Sequence, residues 1–226
     1  MRSPEAHIYF GGHSLILHAQ GVLYWPNQRT LIASDLHFEK STFLARHGSF
    51  IPPYDTLDTL ERLEQLVAHY QPERLILLGD SFHDGQAWQR LDEMLRARIM
   101  TLTVLVRECI WIEGNHDGEL NAHPLGVLRS SVYIDGIHFA HDDTHAARPV
   151  IIGHFHPKAR VQVGKHNVSG KCFIHCETML VMPSFGSYTG GLNITHKAIQ
   201  NLFVGQKTHT HFLYRDMIYP QPADQR

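Results

Sequence analysis

The chain has 226 residues, 43% of them hydrophobic, which suffices for the core of one compact domain or two small ones. Lysine and arginine total 20 against 22 aspartates and glutamates, so the surface as a whole carries no polyanion-binding excess, although a local basic groove is compatible with that balance. No run reaches the ~20 apolar residues of a membrane span, the opening MRSPEAHIYF lacks the apolar segment of a secretory leader, and Cys109, Cys172 and Cys176 form no disulfide framework; a reducing, cytoplasmic setting is expected.

In chain order, LIASD (31–35) is a short apolar run ending at a carboxylate. The stripe of Leu57, Leu60, Leu63, Leu66, Val67 and Tyr70 predicts a helix over 56–70, capped by Asp55 or Thr56 and stopped by Pro72. RLILLGD (74–80) repeats the strand-then-carboxylate form. Trp88, Leu91, Met94 and Leu95 predict a second helix from 86 to about 106, and CIWIEGNHD (109–117) ends a third strand. Beyond residue 130 the style changes. SVYIDGIHFAH reads as a hairpin turning at Asp135-Gly136, VIIGHFH (150–156) as a fourth strand with a polar end, and ARVQV, CFIHC, TMLVMP and the segments from 195 to 219 as further strands. The sum is an α/β chain, two packed sheets with helices outside, in one domain over 1–219 with a flexible tail over 220–226.

The polar residues that carry chemistry all follow strands, where ligands collect in open α/β sheets. Asp35 and His37 in DLH stand two apart, as do His154 and His156 in GHFH; in extended chain such pairs point the same way and reach one ion. GD supplies Asp80, GNHD supplies Asn115, His116 and Asp117 on a tight turn, and His141 ends the second hairpin strand. His138 faces away from His141 on a strand, and His145 falls in a loop. Imidazoles, carboxylates and an amide oxygen without thiolate suit Mn²⁺, Fe or Zn²⁺ better than a soft ion.

D-x-H, GD, GNHD, a strand-end His and GH-x-H in this order resemble the calcineurin-like metallophosphoesterase superfamily over residues 35–156. That resemblance implies a four-layer α/β/β/α sandwich and a hydrolase with two divalent metal ions. It assigns Asp35, His37, Asp80 and His156 to one metal. Asp80 bridges to a second, held also by Asn115, His141 and His154. A metal-activated hydroxide is the implied nucleophile. His116 stays unligated beside the substrate, and Asp117 either orients it or caps the turn.

The segment GDSFHDGQAW lacks the Arg-Gly of the protein phosphatases in this superfamily, and His83 stands where Asp or Asn is common. The pieces SDLHFEKSTFLARHGSFIPPYDTLDTLERL, LLGDSFHD, EGNHD, GHFHP and PSFGSYTGGLNI resemble a narrower bacterial family, the ligase-associated DNA damage response (PdeM-like) endonucleases. This likeness implies Mn²⁺-dependent phosphodiester hydrolysis, with a DNA repair role beside a ligase, a helicase and a nuclease. The chain departs at HDD (141–143), where His-Glu-Pro is expected.

Residues 38–55 are expected to form a lip over the metals. Lys40, Arg46 and His47 are candidates for phosphate contact, and Phe43 and Phe50 either stack on bases or pin the segment to the core. His83 either faces the pocket or caps the next turn. HTHF (209–212) reads as an edge strand with one wet face, and Cys172 and Cys176 as buried thiols. The expected substrate is nucleic acid or a nucleotide. The near-neutral charge keeps a small-molecule nucleotide phosphatase or cyclic-nucleotide phosphodiesterase as the alternative.

Overall fold

The computed structural model describes residues 3–49, 51–117, 126–142, 147–163 and 165–224. The first half of the chain builds a seven-stranded sheet. In spatial order it runs β1 (Glu5–Phe10), β2 (His13–His18), β3 (Leu23–Trp25), β4 (Thr30–Ala33), β5 (Arg74–Leu78), β6 (Glu108–Ile112) and β7 (Val127–Arg129). The strands β4, β5, β6 and β7 are parallel. The second half builds an eight-stranded sheet ordered β15 (Met217–Asp224), β14 (Thr208–Tyr214), β12 (His166–His175), β13 (Met179–Val181), β10 (Val150–Ile152), β9 (Ile137–Ala140) and β8 (Ser131–Ile134), with β11 (Lys158–Val163) paired to β12.

Alternation along the buried strands places this sandwich. Ile32, Ile76, Leu78, Ile110 and Ile112 pack against Phe139, Ile151, Phe173 and Leu180 of the second sheet. Their neighbours Leu31, Leu75, Leu77 and Trp111 face outward, onto Leu60, Leu63, Leu66 and Val67 of α2 (Asp55–Tyr70) and Ile99 and Leu102 of α4 (Glu93–Leu105). Period-two strands sandwiched on both faces need apolar residues at every position, which is the pattern of LIA, LILL and CIWI. The short α5 (Lys197–Leu202) covers Val150, Ile152, Ile174 and Val181 on the outside of the second sheet. The layers are therefore helix, sheet, sheet, helix.

Several sequence expectations shift. The helix expected from 86 to about 106 is two pieces, α3 (Ala87–Arg90) and α4, because Asp92 caps the second by accepting from the Leu95 N–H at 2.7 Å. Asp55 does not cap its own helix. It accepts from the Ser41 N–H and hydroxyl, tying α2 to α1 (Lys40–Arg46). The region after 195 begins with α5 rather than strand. The tail expected over 220–226 is largely strand, since β15 pairs with β14 as far as Asp224. The Asp135-Gly136 turn of the expected hairpin joins β8 to β9, both residues at positive φ (44° and 86°).

HTHF is likewise no edge strand. It lies in β14, between β12 and β15. His211 faces inward, where its Nε2 meets His175 Nε2 at 3.2 Å, and both side chains are buried. Burial first, then the charges of neighbouring histidines, pushes both pKa values down to about 4. Between their ordinary 6.5 and about 4, the unfolded chain takes up protons that the folded pair refuses, so stability falls as pH falls through that window. We expect this pair to cost roughly 2–4 kcal/mol between pH 7 and pH 5. Urea unfolding in EDTA at both pH values checks it: His211→Leu should show a flatter pH dependence than the wild type, and equal slopes would contradict it.

Candidate metal centre

The parallel strands of both sheets end on one side of the sandwich. β4, β5 and β6 lead into Asp35, Asp80 and Asn115, and β9 and β10 lead into His141, His154 and His156. The expectation of extended D-x-H and H-x-H pairs does not hold. Asp35, His37, Asp80, His154 and His156 all adopt left-handed backbone, with φ between 46° and 66°. Each such non-glycine residue costs about 1–2 kcal/mol, sustained only where surroundings over-determine it. The left-handed bends turn the chain sharply at the strand ends and direct its N–H groups at carboxylates. The His154 N–H donates to Asp35 Oδ2 at 3.1 Å; from the GNHD turn, whose His116 is not left-handed, the His116 N–H donates to Asp80 Oδ1 at 2.7 Å. Gly79 is needed for its positive φ of 75° and because a Cβ there would stand 2.1 Å from His141 Nδ1.

Two donor groups result. In the first, His156 Nε2 lies 3.0 Å from Asp35 Oδ1 and 3.4 Å from His37 Nε2. In the second, Asn115 Oδ1 lies 3.0 Å from both His141 Nε2 and His154 Nδ1, which are 3.2 Å apart. Asp80 joins them, its Oδ2 3.3 Å from His141 Nε2 and 3.9 Å from His37 Nε2. Among the described residues, the histidine, cysteine and carboxylate groups close enough to share an ion are these two, Asp35–His37–His156 and Asp80–His141–His154. His154 and His156 thus fall into different groups.

The electrostatics suit cations. Asp35 is fully buried, yet the hydrogen bond from His156 and the charges of His156 and His141 outweigh burial and hold its carboxyl below the ordinary range. Burial also opposes ionisation of Asp80, but His141, the His116 N–H and His37 lower it to about 2. Burial works against charge on His141 as well; its hydrogen bond to Asp80 and the charges of Asp35 and Asp80 prevail and push it up to about 9. The donor set and its charge fit two divalent ions.

Around this centre, His116 lies at the exposed rim, its ring 5.3 Å from those of His37 and His83. Asp117 does not reach it. The buried carboxylate accepts from the Phe82 N–H through Oδ1 and from the Gly114 N–H through Oδ2, both at 2.9 Å, so it fastens the GNHD turn to the strand β5 exit. His83 turns inward, its Nδ1 3.3 Å from His37 Nδ1, while Asp84 makes the turn bond to the Gln86 N–H. Burial, then the charge of Lys40, depresses His83 to about 4.

The expected lip is α1. Lys40 stands at its start and feels the charges of Asp55 and Asp80. Phe43 meets the His83 ring edge-on at 4.7 Å rather than joining the core. Arg46 and His47 are exposed at its far end, with the His47 ring 4.3 Å from that of Phe43. His138 contacts Tyr133 at the start of β9, away from the donors. Phe50 and His145 lie outside the described residues. Cys172 and Cys176 are free buried thiols.

The model of the calcineurin-like phosphoesterase family matches residues 28–204. The chain belongs to the calcineurin-like phosphoesterase family. It is a metal-dependent phosphoester hydrolase, of a family that binds two divalent ions. Among solved structures, the phosphoesterase is similar to the Pseudomonas putida nuclease MPE, at 25% identity over 96% of this chain and 100% of that one, with a TM-score of 0.74. It also aligns with Yfce, a phosphoesterase from E. coli, at 15% identity over 86% of this chain and 99% of that one, with a TM-score of 0.43. No curated protein matches it. No helix among the described residues is long and apolar enough to cross a membrane.

Proposed function

We propose that this phosphoesterase is a dinuclear phosphodiesterase that cleaves nucleic acid, with Mn²⁺ as its working metal. The observation that carries the reading is the pair of donor groups sharing Asp80, with unligated His116 at their rim. In this reading Asp35, His37, Asp80 and His156 hold the first metal, and Asp80, Asn115, His141 and His154 the second. A bound metal pair supplies an acidified water and positive charge against phosphate oxygens. His116 gives a proton to the departing oxygen. Asp117 serves it only indirectly, by fixing the turn that carries it. Lys40, Arg46 and His47 meet phosphates along the lip, and Phe43 with His83 offers a base a surface to stack on.

The likeness to a nuclease over the whole chain supports a polymeric substrate. Resemblance to the ligase-associated endonucleases extends the proposal to cytoplasmic DNA repair beside a ligase, a helicase and a nuclease. The second reading, a small-molecule nucleotide phosphatase or cyclic-nucleotide phosphodiesterase, is favoured by the net charge of −2. Hydrolysis of bis(p-nitrophenyl) phosphate, single-stranded DNA, cyclic nucleotides and monoesters separates the two. We expect Mn²⁺-dependent cleavage of the diesters, abolished by EDTA, with DNA turnover that falls steeply as salt rises. No turnover with Mn²⁺, Fe²⁺ or Zn²⁺ would overturn the enzyme assignment of these residues. Turnover of monoesters or cyclic nucleotides alone would favour the second reading.

A further inference from the structure

The segment PSFGSYTGG lies outside both donor groups, yet it is built into the centre from behind. The Phe185 N–H donates to the Ser34 carbonyl at 2.7 Å, and the Gly186 N–H to the Asp35 carbonyl at 3.1 Å. The approach is so close that a Cβ on Gly186 would stand 2.2 Å from the Leu36 carbonyl oxygen. The three successive carbonyls of this segment are taken from its other side by two cations. Lys171 Nζ, on β12, donates to Ser184 O and Gly186 O, both at 2.7 Å. Arg62 Nη2, on α2, donates to Phe185 O at 2.9 Å and Ser187 Oγ at 3.0 Å, and its guanidinium lies over the Phe185 ring at 4.4 Å.

Asp35 is the ligand that most needs such support. It is fully buried at positive φ, and its backbone is held on one side by the bond from its N–H to Gly79 O and on the other by Gly186. Lys171 pays a desolvation cost to be there: burial, then the charges of Arg62 and Lys158, pulls its ammonium down to about 7. Neutral methylene packing would fill the space without that cost. The requirement met by Lys171 and Arg62 is to satisfy the carbonyls of residues 184–186, two of which, Phe185 and Gly186, donate their N–H groups to Ser34 and Asp35; the Thr189 hydroxyl shares Gly186 O at 2.7 Å.

We propose that Lys171 and Arg62 are positioning residues for the first metal: through the 184–187 segment they clamp the Asp35 backbone in its left-handed bend, and so set first-metal affinity more strongly than that of the second, which Asp35 meets through the His154 N–H rather than as a ligand. This inference rests on the dinuclear reading above. Two measurements test it on the full chain. Hydrogen exchange of the metal-free protein reads the clamp itself. Protection of the Phe185 and Gly186 amides should fall about tenfold or more in Lys171→Met and return in Lys171→Arg; unchanged protection would overturn the clamp. Mn²⁺ titration, with site occupancies from anomalous diffraction, reads its consequence. First-metal affinity should fall about 10–100-fold in Lys171→Met and in Arg62→Gln, with a clearly smaller change at the second metal and Lys171→Arg restoring the first. Equal weakening of both metals, or of neither, would overturn the positioning role. Arg62→Gln, at a site more exposed than that of Lys171, decides the matter by the same criteria if Lys171→Met does not fold. A wild type that binds no metal pair would instead overturn the dinuclear reading, leaving the exchange result to stand on its own.

Discussion

His116→Gln is expected to lower kcat on DNA by about 10²–10⁴ while both metals still bind. The geometry separates the two effects. The main chain of His116 supports Asp80 through its N–H, a bond that substitution of the side chain leaves intact. Its imidazole belongs to neither donor group and stands at the exposed rim beside His37 and His83. A proton donor matters in proportion to how poor the leaving group is. The loss should therefore be large on DNA, where an alkoxide departs, and small on bis(p-nitrophenyl) phosphate, where the phenolate leaves without help. Comparing kcat on the two substrates, with metal content measured alongside, checks the role. Equal losses on both would deny His116 the proton, and loss of metal would make it structural.

The second large effect concerns GHFH. His154→Ala and His156→Ala should each lower diester turnover by about 10²-fold or more, on the scale of losing one partner from a site whose members act together, yet they should weaken different metals. His156 sits with Asp35 and His37, and His154 with Asn115 and His141, although one residue separates them. Phe155 between them packs against the cluster beneath α5. Mn²⁺ titration of the two variants should leave His156→Ala with an intact Asn115–His141–His154 site, and His154→Ala with an intact Asp35–His37–His156 site.

Much of this was legible in the sequence because strands buried on both faces must be apolar throughout, and their polar ends then stand out. Asp35, Asp80, Asn115, His141 and the GHFH pair all announce themselves in that way. What spacing could not convey was backbone. The i, i+2 rule assumes extended chain, and the donors instead occupy left-handed bends beyond the strand ends. Their side chains still converge, for a reason that residue types do not encode. Asp117 was misleading for a related cause: adjacency to His116 suggests a partner, but the turn points the carboxylate inward to two backbone N–H groups. Asp55 reads as a cap for α2 and instead bonds across to Ser41, since a tertiary contact outweighs a local one. HTHF reads as an edge strand with one wet face because its histidines have no glycine or carboxylate partner in sequence, whereas its place in β14 depends on pairing with both β12 and β15. Lys171 and Arg62 gave no sequence signal at all, because their partners are carbonyls.

If two metals share Asp80, they divide the histidines of GHFH between them. An anomalous difference map from crystals grown with Mn²⁺ tests it most directly. Two peaks are expected roughly 3.5–4 Å apart with Asp80 between them, one bound by His156 with Asp35 and His37, the other by His154 with Asn115 and His141. A single peak touched by both His154 and His156 would contradict it.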